Sequence, residues 1–262
     1  LEKKPVINLL GNFEENNITY LVFDYLTMNL YNYLINSRND PYDYKLEIMY
    51  KIIDGLDFIH SLDIIHADLK PENIMYDIVS KNLKIIDFGS SFYEDKKKLN
   101  VYIQSRYYRA PEILYRLEYN KSIDIWSYIC IFYEILFVKP LFPGKNERDM
   151  IFKIKELLDT PNFNFQYKTS VVFSNSFYFD YYYNRYEMTH CKVTGNKSYY
   201  SYNQFNLNNR ILTELKKVYP EVLNLENNTI LTDLINLFES VLLYNKDDRL
   251  NSLQIKEHKI FN

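Results

Sequence analysis

An eight-residue loop at positions 66–73, His-Ala-Asp-Leu-Lys-Pro-Glu-Asn, limits most strongly what this chain can fold into. Because alternate residues of an extended segment point the same way, the Asp68 carboxylate and the Lys70 ammonium can face one reacting centre. Pro71 fixes φ and removes a backbone donor, which keeps the stretch out of a helix. Asp87-Phe88-Gly89 follows fourteen residues after the last Asn of the loop. A carboxylate base, an ammonium group, and an Asn and an Asp as hard oxygen ligands suit phosphoryl transfer from a magnesium-bound nucleotide.

The loop resembles the catalytic loop of protein kinases, His-Arg-Asp-Leu-x-x-x-Asn, with Ala67 in place of the Arg. The match is specific because Asp-Phe-Gly at 87–89 and Ala-Pro-Glu at 110–112 follow in the same order at kinase-like spacing. The alternative is a polar loop, a turn and a helix-starting Pro that align by chance.

The resemblance implies an α+β, protein-kinase-like fold with a mostly α-helical large lobe and only a two-strand remnant of the small β lobe. Residues 1–26 would form that remnant and the hinge, and residues 27–262 the large lobe. The large lobe would contain an activation segment at 87–112 and an insert at about 160–230.

For the reaction, the resemblance implies ATP and Mg²⁺ as cofactors and Ser or Thr hydroxyls of proteins as acceptors. Asp68 would orient the acceptor hydroxyl and take its proton, and Lys70 would meet the γ-phosphate. Asn73 and Asp87 would hold the magnesium. Glu72 faces the acceptor region and can receive a basic substrate residue, or it can make a local backbone contact instead.

The adenine site would lie where the hinge joins the lobes. By resemblance Phe23 is the gatekeeper, and the Asp24 carbonyl and Leu26 amide bond the adenine edge. Met75 and Ile86 would pack under the ring. Taken alone, the same residues also fit an ordinary strand ending in a turn and plain core positions.

The activation segment carries the more specific family signal. Tyr-Ile-Gln-Ser-Arg-Tyr-Tyr-Arg-Ala-Pro-Glu at 102–112, with Asp-Phe-Gly-Ser-Ser at 87–91, resembles the DYRK branch of the CMGC kinases. In that branch a Tyr at the position of Tyr102 is autophosphorylated, and Arg106 and Arg109 are the natural receivers of its phosphate. The alternative is that Tyr102 is simply one of 27 tyrosines. A small residue before the catalytic Asp, as in this chain, also fits the branch.

Further positions would hold the large lobe together. The resemblance implies that Asp124 anchors the backbone of the catalytic loop and that Arg249 pairs with Glu112. Ile129 departs from the pattern, because the family usually has Gly there.

Periodicity and turn residues give the expected elements. Val6–Leu10 and Ile18–Phe23 read as the two strands of a hairpin. Helices are expected at 30–34, 44–61, 122–138, 231–243 and 252–258, with short strands at 74–76 and 83–86. The segment 160–230 is the least legible. Its eight tyrosines between positions 176 and 203 fit a family insert better than a base-stacking surface, because Lys and Arg are sparse there.

Composition narrows the class of partner. With 47% hydrophobic residues the chain is globular, and a net charge of −3 argues against nucleic acid as a partner. The sequence contains no run of eighteen apolar residues, so we expect no membrane span. Cys130 and Cys191 form no Cys-x-x-Cys, which fits a reducing, intracellular location in cytoplasm or nucleus. Oligomeric state is left open.

The chain begins at Leu1, and residues 1–262 contain neither Gly-x-Gly-x-x-Gly nor a strand Lys of the Val-Ala-Ile-Lys kind. Kinases need that Gly-rich lid and that Lys. We therefore expect the chain to be a piece of a longer kinase and to be inactive alone. A second hypothesis is a pseudokinase-like protein-binding scaffold that never had a competent small lobe.

Overall fold

The computed structural model describes residues 4–96, 102–158, 204–224 and 229–261. The predicted α+β class is confirmed, and helices dominate the described part of the chain. The helices are α1 (Leu30–Asn36), α2 (Tyr42–Ser61), α3 (Pro111–Leu114), α4 (Ser122–Phe137), α5 (Glu147–Leu158), α6 (Gln204–Val218), α7 (Ile230–Val241) and α8 (Ser252–Lys256). The strands are β1 (Leu9–Glu15), β2 (Ile18–Phe23), β3 (Met28–Asn29), β4 (Ile64–Ile65), β5 (Ile74–Asp77), β6 (Asn82–Ile85) and β7 (Phe92–Tyr93).

Helix α4 is the centre of the core. Its sequence is apolar on every side, and such a helix is stable only when neighbours surround it. All of its residues from Ile123 to Phe137 are buried. Ile129 is fully buried among them. The helix ends where Val138 adopts a left-handed conformation with φ 53°.

Helix α2 delivers the chain to the loop at 66–73. It begins two residues before the predicted start, after Pro41, and buries one face against α4 and α8. Gly55 lies where α2 contacts Pro5 and Ile85, and a Cβ at this position would come within 2.8 Å of the Pro5 carbonyl oxygen. The N-terminal segment at Pro5 can therefore lie close against α2. The same segment bonds Ile85, whose carbonyl accepts the Ile7 N–H and whose N–H donates to the Pro5 carbonyl.

The β1–β2 hairpin corrects the predicted strand boundaries. The first strand was expected at Val6–Leu10, but β1 runs from Leu9 to Glu15 and includes Gly11. The turn lies at Asn16 and Asn17, whose φ values of 52° and 61° suit the tight turn that matches strand twist. Val6 instead forms a parallel bridge with Ile85.

Two smaller sheets support the loop at 66–73. Strands β3, β5 and β6 form an antiparallel sheet in the order β3-β5-β6, and β4 pairs with β7. The predicted strands at 74–76 and 83–86 correspond to β5 and β6 within one residue at each end.

The remaining helices follow the sequence signals closely. Asn146 caps α5 by accepting from the Asp149 N–H, and Asp149 accepts from the Lys145 N–H in return. The last helix was expected to reach position 258 but ends at Lys256, and a 3₁₀ turn at Lys259–Phe261 follows. Part of the predicted insert is helix α6, while its eight tyrosines between positions 176 and 203 lie outside the described residues. Within the described residues, no helix is long and apolar enough to cross a membrane.

Lys45 of α2 should make stability depend on pH. Its side chain is fully buried, with Nζ 3.3 Å from the Leu136 carbonyl oxygen and 5.4 Å from the centre of the Tyr219 ring. Burial lowers the Lys45 pKa to about 8, against a partial opposing effect of Asp40. Above that pH the unfolded chain binds more protons than the folded chain, so this group adds stability as pH rises.

We expect the free energy of unfolding to increase by about 1 kcal/mol between pH 7 and pH 9 in the wild type, relative to Lys45→Met. Urea denaturation of both proteins at the two pH values measures this difference. Identical pH dependence in the two proteins would show that the Lys45 amine keeps its ordinary pKa.

Candidate active site

Asp124, which is fully buried at the start of α4, holds the loop at 66–73 through hydrogen bonds to its backbone. Its carboxylate accepts the backbone N–H of His66 at 2.8 Å and of Ala67 at 2.9 Å. His60 Nε2 lies 3.0 Å from the same carboxylate. Ala67 has φ 64°, a left-handed conformation that is uncommon for a non-glycine residue.

Three neighbours surround the Asp68 carboxylate. Lys70 Nζ donates to Oδ2 at 2.7 Å, and Asn73 Nδ2 donates to the same oxygen at 3.2 Å. Ser105 donates to Oδ1 from its hydroxyl at 2.8 Å and from its backbone N–H at 3.0 Å. Asp68 and Lys70 are both partly buried. The structure therefore brings Asp68, Lys70 and Asn73 into one hydrogen-bonded group.

Asp87 joins this group through the backbone. The Ile86 N–H donates to the Asn73 carbonyl at 2.9 Å, and the Ile86 carbonyl lies 3.0 Å from His66 Nε2. Asp87 then takes a left-handed conformation with φ 63°, and its side chain accepts from the Gly89 N–H. Its carboxylate is exposed directly beside the loop that carries Asn73.

The donor set fits magnesium. Among the described residues, the two hydrogen bonds of the Asn73 side chain are donated by Nδ2, so its Oδ1 oxygen is available as a metal ligand. Asp87 adds a carboxylate, and Mg²⁺ is commonly held by one or two such groups together with phosphates and water. Within the described residues, no group of three or more His, Cys, Asp or Glu side chains could hold a metal. Such a group is not needed for a magnesium ion that is bound mainly by a nucleotide.

The predicted adenine-site residues come from two parts of the chain, the end of β2 with the residues after it, and the β5–β6 pair. Phe23 ends β2 and is 43% exposed, and Asp24 after it is also exposed. Leu26 is buried, so its side chain packs in the core. Met75 in β5 and Ile86, the residue after β6, are half-buried.

Tyr102 lies over a buried cation. Its side chain is 66% exposed, and the Arg109 guanidinium carbon is 4.0 Å from the centre of its ring. A hydrogen bond from Arg109 and its positive charge lower the Tyr102 pKa, and Arg106 adds to this effect. Arg109 also pairs with Glu147 at 2.8 Å, and Arg106 donates to the Lys145 carbonyl at 2.9 Å. Both predicted arginines therefore lie near the predicted phosphorylation site.

Two residues of the site, Gln104 and Ser105, have roles that the sequence did not predict. Ser105 contacts Asp68 as described above. Gln104 is buried with φ 64°, and its side chain bonds the Ile123 carbonyl, the Ser127 hydroxyl and the Ala110 N–H. The left-handed backbone of a non-glycine residue leaves no sequence signal. The polar pair Gln104-Ser105, which follows Val-Tyr-Ile at 101–103, was the available indication that both side chains have partners.

Arg249 and Glu112 form a buried, two-pronged ion pair. The Nη1–Oε1 and Nη2–Oε2 distances are both 2.7 Å. The guanidinium also lies 5.0 Å from the centre of the Trp126 ring and donates to the Ser122 carbonyl. The pair thus ties the end of the activation segment to the turn before α8.

A second acidic group, Glu134, lies near Glu72 of the loop. Glu134 of α4 is buried and accepts from the Tyr108 hydroxyl at 2.7 Å. Burial raises its pKa and the nearby Glu72 carboxylate raises it further, while the Tyr108 hydrogen bond lowers it. Glu72 itself is exposed.

Comparisons with known proteins identify the family. A model of the protein kinase domain matches residues 1–261. The chain is 42% identical over 159 residues to a probable serine/threonine-protein kinase dyrk2 of Dictyostelium discoideum, covering 60% of this chain and 17% of that protein. It is equally identical over the same length to human dual specificity tyrosine-phosphorylation-regulated kinase 3, covering 60% of this chain and 27% of the relative.

A mouse serine/threonine-protein kinase ICK is 41% identical over 165 residues, covering 62% of this chain and 26% of the relative. The aligned part of the chain thus spans about a sixth to a quarter of these curated relatives. The match over nearly the whole chain and the DYRK-type relatives agree with the geometry of the loop. The chain belongs to the protein kinase family, and it is similar to kinases of the DYRK type.

Proposed function

We propose that this chain carries the catalytic loop of an ATP-dependent kinase that transfers the γ-phosphoryl group to Ser or Thr hydroxyls of proteins. The observation that carries this proposal is the hydrogen-bonded group of Asp68, Lys70 and Asn73 beside Asp87. The two carboxylates have different surroundings, since Asp68 is enclosed by donors and Asp87 is exposed. This difference supports separate roles as base and as metal ligand.

In this proposal Asp68 binds the acceptor hydroxyl and takes its proton. A general base must lie within hydrogen-bond reach of that proton, and the Asp68 side chain keeps 18% of its surface exposed for an acceptor hydroxyl to approach. Ser105 and Asn73 fix the carboxylate by donating to its two oxygens. Such positioning can supply roughly 7–11 kcal/mol of the barrier in well-oriented reactions.

Lys70 supplies positive charge where charge develops on the transferred group. Its Nζ lies 2.7 Å from Asp68 and 3.2 Å from the Ser105 hydroxyl, and it keeps donor capacity for a phosphate oxygen. When bound between Asn73 and Asp87, Mg²⁺ would neutralise phosphate charge. Lys70 and a magnesium ion held by Asn73 and Asp87 would therefore both offset negative charge on the same triphosphate.

We infer that Tyr102 is autophosphorylated in the mature protein. The human relative is named as a tyrosine-phosphorylation-regulated kinase, and Tyr102 has an arginine beneath its ring. Phosphate adds up to about two negative charges, which Arg106 and Arg109 can receive. Because Arg109 is already held by the Gln104 carbonyl and Glu147, little ordering of its side chain would be needed.

The acceptor side favours a basic substrate residue. Glu72 is exposed, and the buried Glu134 near it has a pKa raised by burial and by Glu72. A substrate Arg or Lys near the acceptor hydroxyl would relieve this repulsion between carboxylates. Protein substrates with such a residue are therefore the proposed class.

We expect residues 1–262 alone to be inactive, since they contain neither the Gly-rich strand nor the strand Lys that kinases use to hold the phosphates. A radiolabelled-ATP assay compares residues 1–262 with the full-length product of the gene that encodes them. Transfer by the full-length product alone is the expected result. Robust turnover by residues 1–262 would refute the expected inactivity, and no transfer by either would favour the protein-binding scaffold.

A further inference from the structure

The two proposed catalytic carboxylates come from segments that are joined by a very short sheet. Strand β4 leads into Asp68, and β7 follows Asp87. The two strands pair over only two residues each, Ile64 with Tyr93 and Ile65 with Phe92. Isolated two-stranded pairs are marginal in water even when they are longer. Other contacts must therefore hold β4 and β7 together.

Glu94, directly after β7, makes such contacts with the start of α4. Its Oε1 accepts the Lys121 backbone N–H at 3.3 Å, and its Oε2 lies 3.4 Å from Lys121 Nζ. Lys121 is the residue that precedes α4, so the carboxylate is at the helix end where negative charge is favoured. The Glu94 backbone N–H meanwhile donates to the Asp63 carbonyl at 2.8 Å.

Lys121 also contacts the residues that precede β4. Its Nζ donates to the Asp63 carboxylate at 2.8 Å and to the His60 carbonyl at 3.1 Å. Asp63 directly precedes β4 and has φ 57°, a left-handed conformation that is uncommon for a non-glycine residue. One ammonium group thus lies between the carboxylate that precedes β4 and the carboxylate that follows β7.

The Lys121 ammonium keeps its positive charge at neutral pH. Partial burial lowers the Lys121 pKa, but hydrogen bonds and charge interactions with Asp63 and Glu94 outweigh it and raise the pKa overall. The neighbouring Phe92 ring also packs edge-on against Tyr119, two residues before Lys121. Polar and aromatic contacts therefore fix β7 against the same stretch of chain.

We propose that Lys121 is a positioning residue whose ammonium bridges Asp63 and Glu94, holds β4 against β7, and so fixes Asp68 relative to Asp87. We call Asp63, Glu94 and Lys121 the clasp. Its role in the reaction rests on the proposed kinase function, whereas its effect on β4 and β7 does not. The lysine acts through the two strands and touches no reacting group.

Hydrogen exchange of residues 1–262, followed by mass spectrometry, tests the clasp without any enzymatic assay. In Lys121→Met we expect the backbone amides of Tyr93 and Glu94 to exchange about tenfold faster, because local opening of β7 becomes easier. Lys121→Arg keeps the charge and should restore exchange to within about twofold of the wild type. Lys139→Met is the matched control, since it removes a lysine that pairs with Glu214 away from β7 and should leave this exchange unchanged.

Three results would overturn the proposal. They are unchanged exchange at Tyr93 and Glu94 in Lys121→Met, equal acceleration in Lys121→Arg, and acceleration of the α4 core amides to the same extent, which would indicate global unfolding. Since no phosphate transfer is measured, these results are independent of the proposed kinase function. If local exchange is faster in Lys121→Met but the protein proves inactive as a kinase, the structural role of the clasp is supported and only its role in the reaction is refuted.

Discussion

Replacing Asp68 with Asn is expected to lower kcat for phosphate transfer by about 10²–10⁴-fold in the full-length product of the gene. The amide has the same shape but cannot take the proton of the acceptor hydroxyl. It also turns one acceptor oxygen into a donor, which faces the Lys70 ammonium at the Oδ2 position or the Ser105 hydroxyl at the Oδ1 position. KM for ATP should change little, because Asp68 is not proposed to bind the nucleotide.

Steady-state transfer from radiolabelled ATP measures this effect. Asp43→Asn is the control, because Asp43 is an exposed carboxylate in the first turn of α2 and should leave kcat unchanged. If Asp68→Asn kept more than about a tenth of the wild-type kcat, Asp68 could not be the base.

Breaking the buried ion pair should have the largest effect on stability. Arg249→Met leaves the Glu112 carboxylate buried without its two hydrogen bonds of 2.7 Å, and removing one partner of such a pair costs roughly 3–5 kcal/mol. The variant also loses the packing of the guanidinium on Trp126. We therefore expect a free energy of unfolding lower by about that amount, or failure to fold at 37 °C.

Urea denaturation of residues 1–262 measures the loss, with Lys246→Met as the control. Lys246 pairs with Asp247, whose side chain is 60% exposed, so its removal should cost less than about 1 kcal/mol. The double variant Arg249→Met with Glu112→Gln should recover part of the stability, because no charge then remains buried. Equal and small effects of Arg249→Met and Lys246→Met would mean that the pair contributes little.

The parts of the fold that the sequence predicted are those with a local signal. Helix α4 is apolar on every side and α2 has a clear helical period, so both were located within about two residues. The loop at 66–73 was located because its chemistry lies in consecutive residues. The hairpin was misplaced because Gly11 looked like a turn, while Asn16 and Asn17 carry the positive φ values.

The parts that could not be predicted depend on tertiary contacts. Ser105 reaches Asp68 across 37 positions of sequence, and Lys121 reaches Asp63 across 58. Neither spacing follows from a periodic pattern. The first depends on how the activation segment folds back on the loop at 66–73, and the second on how the start of α4 packs beside β4. Gln104 likewise matters because of a left-handed backbone that only the folded chain reveals.

The central claim is that Asp68, Lys70, Asn73 and Asp87 converge on one magnesium-bound triphosphate. The Mg²⁺ concentration that gives half-maximal phosphate transfer, measured for wild type, Asp87→Asn and Asp68→Asn of the full-length product, tests it most directly. We predict that Asp87→Asn requires at least about tenfold more Mg²⁺, because a carboxylate ligand is lost. Asp68→Asn should lower kcat at an unchanged Mg²⁺ requirement. An unchanged Mg²⁺ requirement in Asp87→Asn would contradict the claim.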